Sequence, residues 1–489
     1  MVEVEAATAS GLPRTVLVGL PDAALHEAKE RCRAAVAAAG LTWPTQVLTI
    51  NLTPAFLPKA GTHFDLSIAA ATLAAVGVVP ATLLPGTVLL GELGLDGRVR
   101  PVRGVLPALL AAREAGMARA VVPASQRREA ELVDGVTVWP VAHLRDVVEV
   151  LHGRPVLAVE DEAVQESPDS PRPDLAEVVG QSEARFALEV AAAGRHHLLL
   201  RGAPGCGKSM LAQRLPSILP RLDRDEALEV TALHSLAGQG AIGRLIEVPP
   251  LSQPHHSVSM AAMVGGGARI ARPGAISLAH RGVLLLDEAP EFSSRVLDAL
   301  RGPLENGWVV LGRSQAQTRY RARFQLVCTL NPCPCGMLDA PGGGCTCSPA
   351  AVVRYASRLS GPILDRVDVH QTMRPLTTAH LLGRSASPPE SSEVVAQRVG
   401  QARARAARRW AGTPWRVNAD VPGSRVRASV RDRGALAVVE EAMATGRLSA
   451  RGVDKVLRLA WTLADLAGID EVGPTQVHQA LGLRRGEVR

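Results

Sequence analysis

Eight consecutive residues, Gly202-Ala203-Pro204-Gly205-Cys206-Gly207-Lys208-Ser209, follow the pattern of a phosphate-binding loop in full. Glycines at these positions let backbone N–H groups curl around an anion at the start of a helix. The lysine of such a loop reaches the β and γ phosphates of a nucleoside triphosphate, and the hydroxyl after it ligates Mg²⁺. Lys208 and Ser209 are assigned those tasks, and Cys206 reads as a small loop residue. Further along, VLLLDE (283–288) runs four apolar residues into two carboxylates. Asp287 suits the Mg²⁺ shell, and Glu288 suits orienting and deprotonating an attacking water. A third apolar run, FQLVCTLN, ends in Asn331, a neutral amide able to touch a γ-phosphate or that water. The chemistry implied is ATP hydrolysis with Mg²⁺.

Directly behind Asn331 comes NPCPCGMLDAPGGGCTCS (331–348), which holds four of the chain's seven cysteines. Their use depends on compartment. The opening residues, MVEVEAATASGLPR, lack the charged start and apolar stretch of a signal peptide. No apolar run approaches the roughly 20 residues needed to span a bilayer. A cytoplasmic location is expected, with no membrane partner, and there a cysteine cluster points to metal before disulfide. Cys333, Cys335, Cys345 and Cys347 form C-x-C…C-x-C on a Gly/Pro-rich loop, which suits a tetrahedral Zn²⁺ that would order it. The bland alternative is a reduced cluster that is merely small and buried. Cys32 and Cys328 fall on a helix and a strand and read as core.

These groups need a frame to hold them. At 489 residues the chain exceeds one ordinary core, and with 47% apolar and 21% charged residues it is globular rather than disordered. A net charge of +7 permits a nucleic-acid partner without requiring one. Residues 1–155 alternate short apolar runs with alanine-rich helical stretches, an α/β pattern. Residues 156–173, acidic and Ser/Pro-rich, read as a linker. Residues 174–376 carry the phosphate loop and acid pair on what should be a parallel sheet flanked by helices. From 377 to 489 the period is helical, so a helical lid closes the chain. There is no internal repeat.

With the three strands placed, the chain resembles the magnesium-chelatase-like branch of the AAA+ ATPases, and within it the ComM/YifB family. Nearly the whole chain takes part: GLPRTVLVGLPDAALHEAKERCRAA, NLTPAFLPKAGTHFDLSIA, PHHSVSMAAMVGGGARIARPGAISLAHRGVLLLDEAPEF, ARFQLVCTLNPCPCG and RLSGPILDRVDVH all look like that family's signatures. Members carry some residues before VEVEA, so a first strand is expected to be missing here. The resemblance implies that Arg366 is an arginine finger reaching a neighbouring subunit's ATP. It also implies that Arg451 is a lid arginine contacting a γ-phosphate. Without the resemblance both would read as ordinary surface charges. It further implies homo-hexameric rings acting on single-stranded or branched DNA, as helicases and branch-migration factors in recombination and natural transformation.

The first 155 residues resemble the Lon protease catalytic fold, of the ribosomal S5 type, through PKAGTHFDLSIA and GELGLDGRVRPVRGVLPALLAAREAG. Aligned on those segments, the nucleophilic serine falls on His63 and the dyad lysine on Leu106. A site with neither nucleophile nor base cannot cleave a peptide. Ser67, one turn on, is the remaining hydroxyl. A scaffold or DNA-entry collar is the expected role.

Two arginine-bearing loops could meet DNA. Residues 305–325 read as a hairpin, with Arg313 near its tip and Arg319 on its return strand, where Arg321 and Arg323 alternate with it. The second loop is GGGARIARPG, with Arg269 and Arg272. The alternative for either is a solvated charged loop, and the arginine-rich stretch 398–433 reads as a solvated lid face. The rival functions are a metal-chelatase motor, an ATP-dependent protease-like regulator and a non-catalytic scaffold. Chelatase motors lack the Lon-like domain, the dyad residues argue against a protease, and an intact ATPase set argues against a scaffold.

Overall fold

The computed structural model describes residues 1–57, 59–156, 173–238, 242–267, 271–312, 317–339, 344–376 and 389–486. The linker expectation for 156–173 lies almost wholly outside them.

Five parallel strands form the central sheet, in the order Leu251–Ser252, Val283–Leu286, Gln325–Leu330, Leu198–Gly202 and Val369–Met373. Parallel strands covered on both faces are apolar throughout, and Val283–Leu286 is buried at all four residues. Alternation along each strand then divides the core in two. Leu198, Leu200, Val283 and Leu285 face a cluster completed by the helices Ser182–Gly194, Ser392–Arg409 and Ala450–Ala467. Leu199, Leu284, Leu286 and Leu326 face the other way, against Met263, Val296, Leu300 and Tyr320. The C-terminal helices are therefore a wall of the sheet's own core. The strand bearing Asn331 is inserted between the phosphate-loop strand and the acid-pair strand. All five carboxyl ends open on one edge, where such sheets bind ligands.

The N-terminal part is a separate α/β body. Glu3–Ala9, Val47–Thr53 and Arg14–Val18 form one three-stranded sheet, and Thr87–Leu89, Arg119–Pro123 and Thr137–Val141 form a second, wholly parallel one. Cys32 is fully buried in this core, beside the Arg31–Asp65 ion pair at 2.8 Å. The helix Arg224–Ala237 joins the two bodies. Its Leu228 packs with Val105, Leu106 and Leu109 of the N-terminal part, and its Ser235 hydroxyl donates to the buried Glu129 carboxylate at 2.5 Å. Among the described residues, no helix is long and apolar enough to cross a membrane.

Candidate active site

The loop from Gly202 to Gly207 leads into the helix Lys208–Ala212, and Gly205 and Gly207 take the left-handed backbone that glycine tolerates. The Lys208 ammonium is drawn back over the loop. It donates to the Gly202 and Ala203 carbonyls at 2.7 and 2.9 Å and to Asn331 Oδ1 at 3.0 Å. Burial lowers its pKa, opposed by the nearby negative charge of Asp287 and Glu288. Cys206 is buried under the loop, as a small residue there should be.

One hydroxyl organises the acid pair. Ser209 Oγ donates to Asp287 Oδ1 at 2.6 Å, and so does Thr329 Oγ1, also at 2.6 Å. Thr329 in turn accepts from the Glu288 backbone N–H at 2.9 Å. Glu288 sits in left-handed backbone, φ 52°, and its side chain is exposed at the edge. A non-glycine residue there is unfavourable by itself and is held by its surroundings, a common arrangement at working sites. The five residues Lys208, Ser209, Asp287, Glu288 and Asn331 thus lie together, on three neighbouring strand ends.

The chain then turns through the cysteines. The four Sγ atoms lie within 4.8 Å of one another, with Cys333–Cys335 at 3.4 Å and Cys345 at 3.7 Å from each. A tetrahedral Zn–S₄ site with bonds near 2.3 Å has sulfurs roughly 3.8 Å apart, so the donor set fits that ion. The backbone N–H groups of Met337 and Thr346 point at Cys335 and bring its pKa down to about 6. At Cys345, against the backbone N–H of Cys347, desolvation and the neighbouring sulfurs push it up to about 11, so the thiolate is favoured at Cys335 and opposed at Cys345. This loop leans on the phosphate loop. Gly336 has φ 78°, and a Cβ there would come within 2.4 Å of Pro204. Asp339 pairs with Arg201 at 3.3 Å.

Arg366 lies at the opposite end of the sheet. It precedes Val369, whose register partner is Leu198, the first residue of the phosphate-loop strand. Lys208 lies beyond the last residue of that five-residue strand, so roughly 16 Å of sheet separates the two. Arg366 bonds the Pro362 carbonyl at 2.5 Å and the Glu305 carboxylate. Arg451 is at the same end. It pairs with Asp365 at 3.6 Å, and Lys455, one turn on, pairs with Asp368 at 3.1 Å. Like Arg366, Arg451 thus lies at the end of the sheet away from its own phosphate loop. Of the residues read as DNA contacts, Arg319 and Arg272 are exposed, the first on the hairpin Trp308–Gly312/Gln317–Arg321. Arg269 and Arg313 lie outside the described residues. Arg321 is committed elsewhere, at 2.7 Å from Glu229 and stacked on Trp308.

Comparison with known proteins agrees with this geometry. Family models described as magnesium chelatase subunit ChlI match residues 174–381 and 4–126, and one for its C-terminal part matches 389–484. A Mycobacterium tuberculosis protein is 51% identical over 491 residues, covering 100% of this chain and 96% of its own. YifB of Escherichia coli and the competence protein ComM of Haemophilus influenzae are each 39% identical, over 99% of this chain and 94% of theirs. The chain belongs to the magnesium-chelatase-like ComM/YifB family. Like that family's members it is an AAA+ ATPase, and its α/β core with C-terminal helices is the family fold.

Two features of this ComM/YifB ATPase escaped the sequence reading. Thr329 had a signal available: it stands two residues before Asn331 and shares its side of the strand. Gln181 had less. In left-handed backbone, it donates to the Cys206 carbonyl at 3.2 Å and the Arg374 carbonyl at 2.6 Å, lining a cavity of about 200 Å³ beside the phosphate loop. At the Lon-like positions, His63 is partly buried, Leu106 is fully buried, and Ser67 donates its hydroxyl to the Leu89 carbonyl at 2.9 Å.

Proposed function

We propose that this chain is an ATP-driven motor that acts on single-stranded or branched DNA as a homo-hexameric ring in the cytoplasm, a helicase or branch-migration factor. The observation that carries this reading is the separation of Arg366 and Arg451 from their own phosphate loop by the length of the sheet. A guanidinium so placed suits a neighbour's nucleotide, as subunits arranged in a ring would offer it. At each interface Lys208 holds the β and γ phosphates, Ser209 and Asp287 hold Mg²⁺, and the cavity beside Gln181 seats the base. Mg²⁺, when bound, neutralises charge on the phosphate oxygens. Glu288 accepts the proton of a water that Asn331 helps to orient. Thr329 fixes both acids through one hydroxyl. Cys333, Cys335, Cys345 and Cys347 hold a structural Zn²⁺ that braces the loop behind Asn331 against Pro204. Arg319 and Arg272, with Arg313 and Arg269, meet the DNA backbone.

DNA is favoured over a tetrapyrrole-metal substrate because the full-length likeness is to a competence protein. The likeness to the magnesium-chelatase subunit ChlI of Trieres chinensis covers only 32% of this chain. The deciding measurement is ATP turnover with and without single-stranded and forked DNA. Stimulation by forked DNA is expected. A rate indifferent to DNA would remove the DNA motor while leaving the ATPase.

A further inference from the structure

Three guanidinium groups converge at the amino end of the ATPase sheet, and the third is that of Arg301. This residue opens the helix Arg301–Asn306, with its Nη2 at 2.7 Å from the Asp298 carboxylate and donating to Ser360 Oγ at 3.3 Å. Glu305, one turn along the same helix, takes the Nη2 of Arg366. Arg366 in turn ends the short segment that begins at Ser360, and Arg451 reaches Asp365 from the lid. The Nε of Arg301 and the Nε of Arg366 are both buried without a hydrogen-bond partner among the described residues. Burial lowers the pKa of Arg366, and the like charges of Arg301 and Arg451 add to the effect.

Such a cluster costs the isolated chain free energy twice. Like charges repel, and each buried N–H without an acceptor forfeits its hydration. An arriving anion with several oxygens reverses both costs. A guanidinium presents five donors in a planar fork that matches phosphate geometry. Each arginine is paired with a carboxylate (Asp298, Glu305 or Asp365), so this end of the sheet is not a broad basic face. An incoming anion must therefore compete with those carboxylates, and the two unpartnered Nε–H groups suit a compact group with several oxygens better than single contacts along an extended nucleic-acid backbone.

We propose that Arg301 completes a three-arginine receptor with Arg366 and Arg451, whose ligand is the terminal phosphoryl group of ATP bound to a neighbouring copy of this chain. The proposal rests on the ring reading above and assigns it a further catalytic residue. Arg301 acts with Arg366 from a different segment, so the two can share the equatorial oxygens as charge develops on them. Ser360, by contrast, only receives a hydrogen bond from Arg301.

The test uses full-length protein, with rings counted by mass photometry. Arg301→Gln is expected to assemble normally and to bind ATP within about threefold of wild type, while kcat falls on the order of 10²-fold. Binding of ADP with aluminium fluoride, a mimic of the transferring phosphoryl group, should weaken in parallel. Mixing with Lys208→Ala subunits, which keep all three arginines, should restore part of the rate. Ser360→Ala should stay within about twofold of wild type. Should Arg301→Gln not fold, Arg301→Lys stands in, with an expected loss of about tenfold in kcat because an ammonium cannot fork. A wild-type kcat in either arginine variant overturns the proposal. So does Ser360→Ala as damaged as Arg301→Gln, which would make Arg301 a positioning residue only. Unchanged basal hydrolysis with lost DNA affinity in Arg301→Gln also overturns it, in favour of a DNA phosphate. Failure of the ring itself is read separately, on wild type and Arg366→Ala, as monomers whose turnover ignores that substitution.

Discussion

At the carboxyl edge of the ATPase sheet, Lys208 bonds Asn331, and Ser209 and Thr329 both bond Asp287, so the polar groups satisfy one another while Glu288 stays open to solvent. The Lon-like positions of the N-terminal part have gone the other way. Leu106 is fully buried among Val105, Leu109 and the ATPase helix residue Leu228, and the backbone N–H of Leu106 donates to Glu129, which also accepts from Ser235. The position read as matching the lysine of a Lon-type dyad lies in the face that packs on the ATPase helix. A lysine there would surrender its hydration to an apolar junction, a cost that only polar partners could offset. The comparison teaches that polar groups gathered at an open sheet edge hold one another, whereas a position at the junction is set by the apolar groups that pack on it.

The largest effect that tests this contrast lies at the far end of the ATPase sheet. Arg366→Ala should leave ATP binding near normal and cut turnover by about 10³–10⁵. Mixed with Lys208→Ala subunits it should regain partial activity, because an intact loop then meets an intact arginine. No rescue at any mixing ratio, with rings confirmed by mass photometry, would show the arginine acting on its own chain. Next comes Glu288→Gln, expected to bind ATP and release phosphate about 10²–10⁴-fold more slowly. Near-normal release removes Glu288 as the base.

Leu106→Lys carries the comparison into the N-terminal part. It should destabilise the junction by on the order of 3–5 kcal/mol, read as a lowered thermal midpoint, and create no peptidase activity on unfolded protein with ATP. Proteolysis abolished by Ser67→Ala would instead show a live hydroxyl. The smallest effect is at the cysteine loop. Cys345→Ser with Cys347→Ser should lose one equivalent of zinc per chain by elemental analysis, and ATP affinity should fall by about a few fold as the brace on Pro204 slackens. Wild-type protein purified without chelator and free of metal would end the zinc reading.

Much of the ATPase edge was legible because its information is local. Strand–glycine loop–helix and apolar run–acid pair each fix their own geometry within ten residues or so, and Lys208, Ser209, Asp287, Glu288 and Asn331 meet as their motifs imply. Placement across the sheet was not local. That Arg451 lies with Arg366 follows from Lys455 reaching Asp368 and from the order in which the strands pair, neither of which is written in a motif. Gln181 hydrogen-bonds carbonyls 25 and 193 residues away, and only the fold brings those together. The contact of Leu106 with Leu228 was equally out of reach, since Leu228 belongs to the other body.

The helix Arg224–Ala237 carries a consequence for how force would travel. Both ends are tied to the N-terminal part, Ser235 through Glu129 and Arg224 through Asp134 at 2.6 Å. Its middle holds the arginine hairpin through Glu229. Against the upward pull of burial, the His280 hydrogen bond and the charges of Arg281 and Arg321 keep that carboxylate down at about 2. The helix is therefore a strut of about 21 Å, fixed at both ends to the N-terminal part and holding the hairpin at its middle. A displacement of the N-terminal part would reach the hairpin through Glu229 without passing through the nucleotide edge.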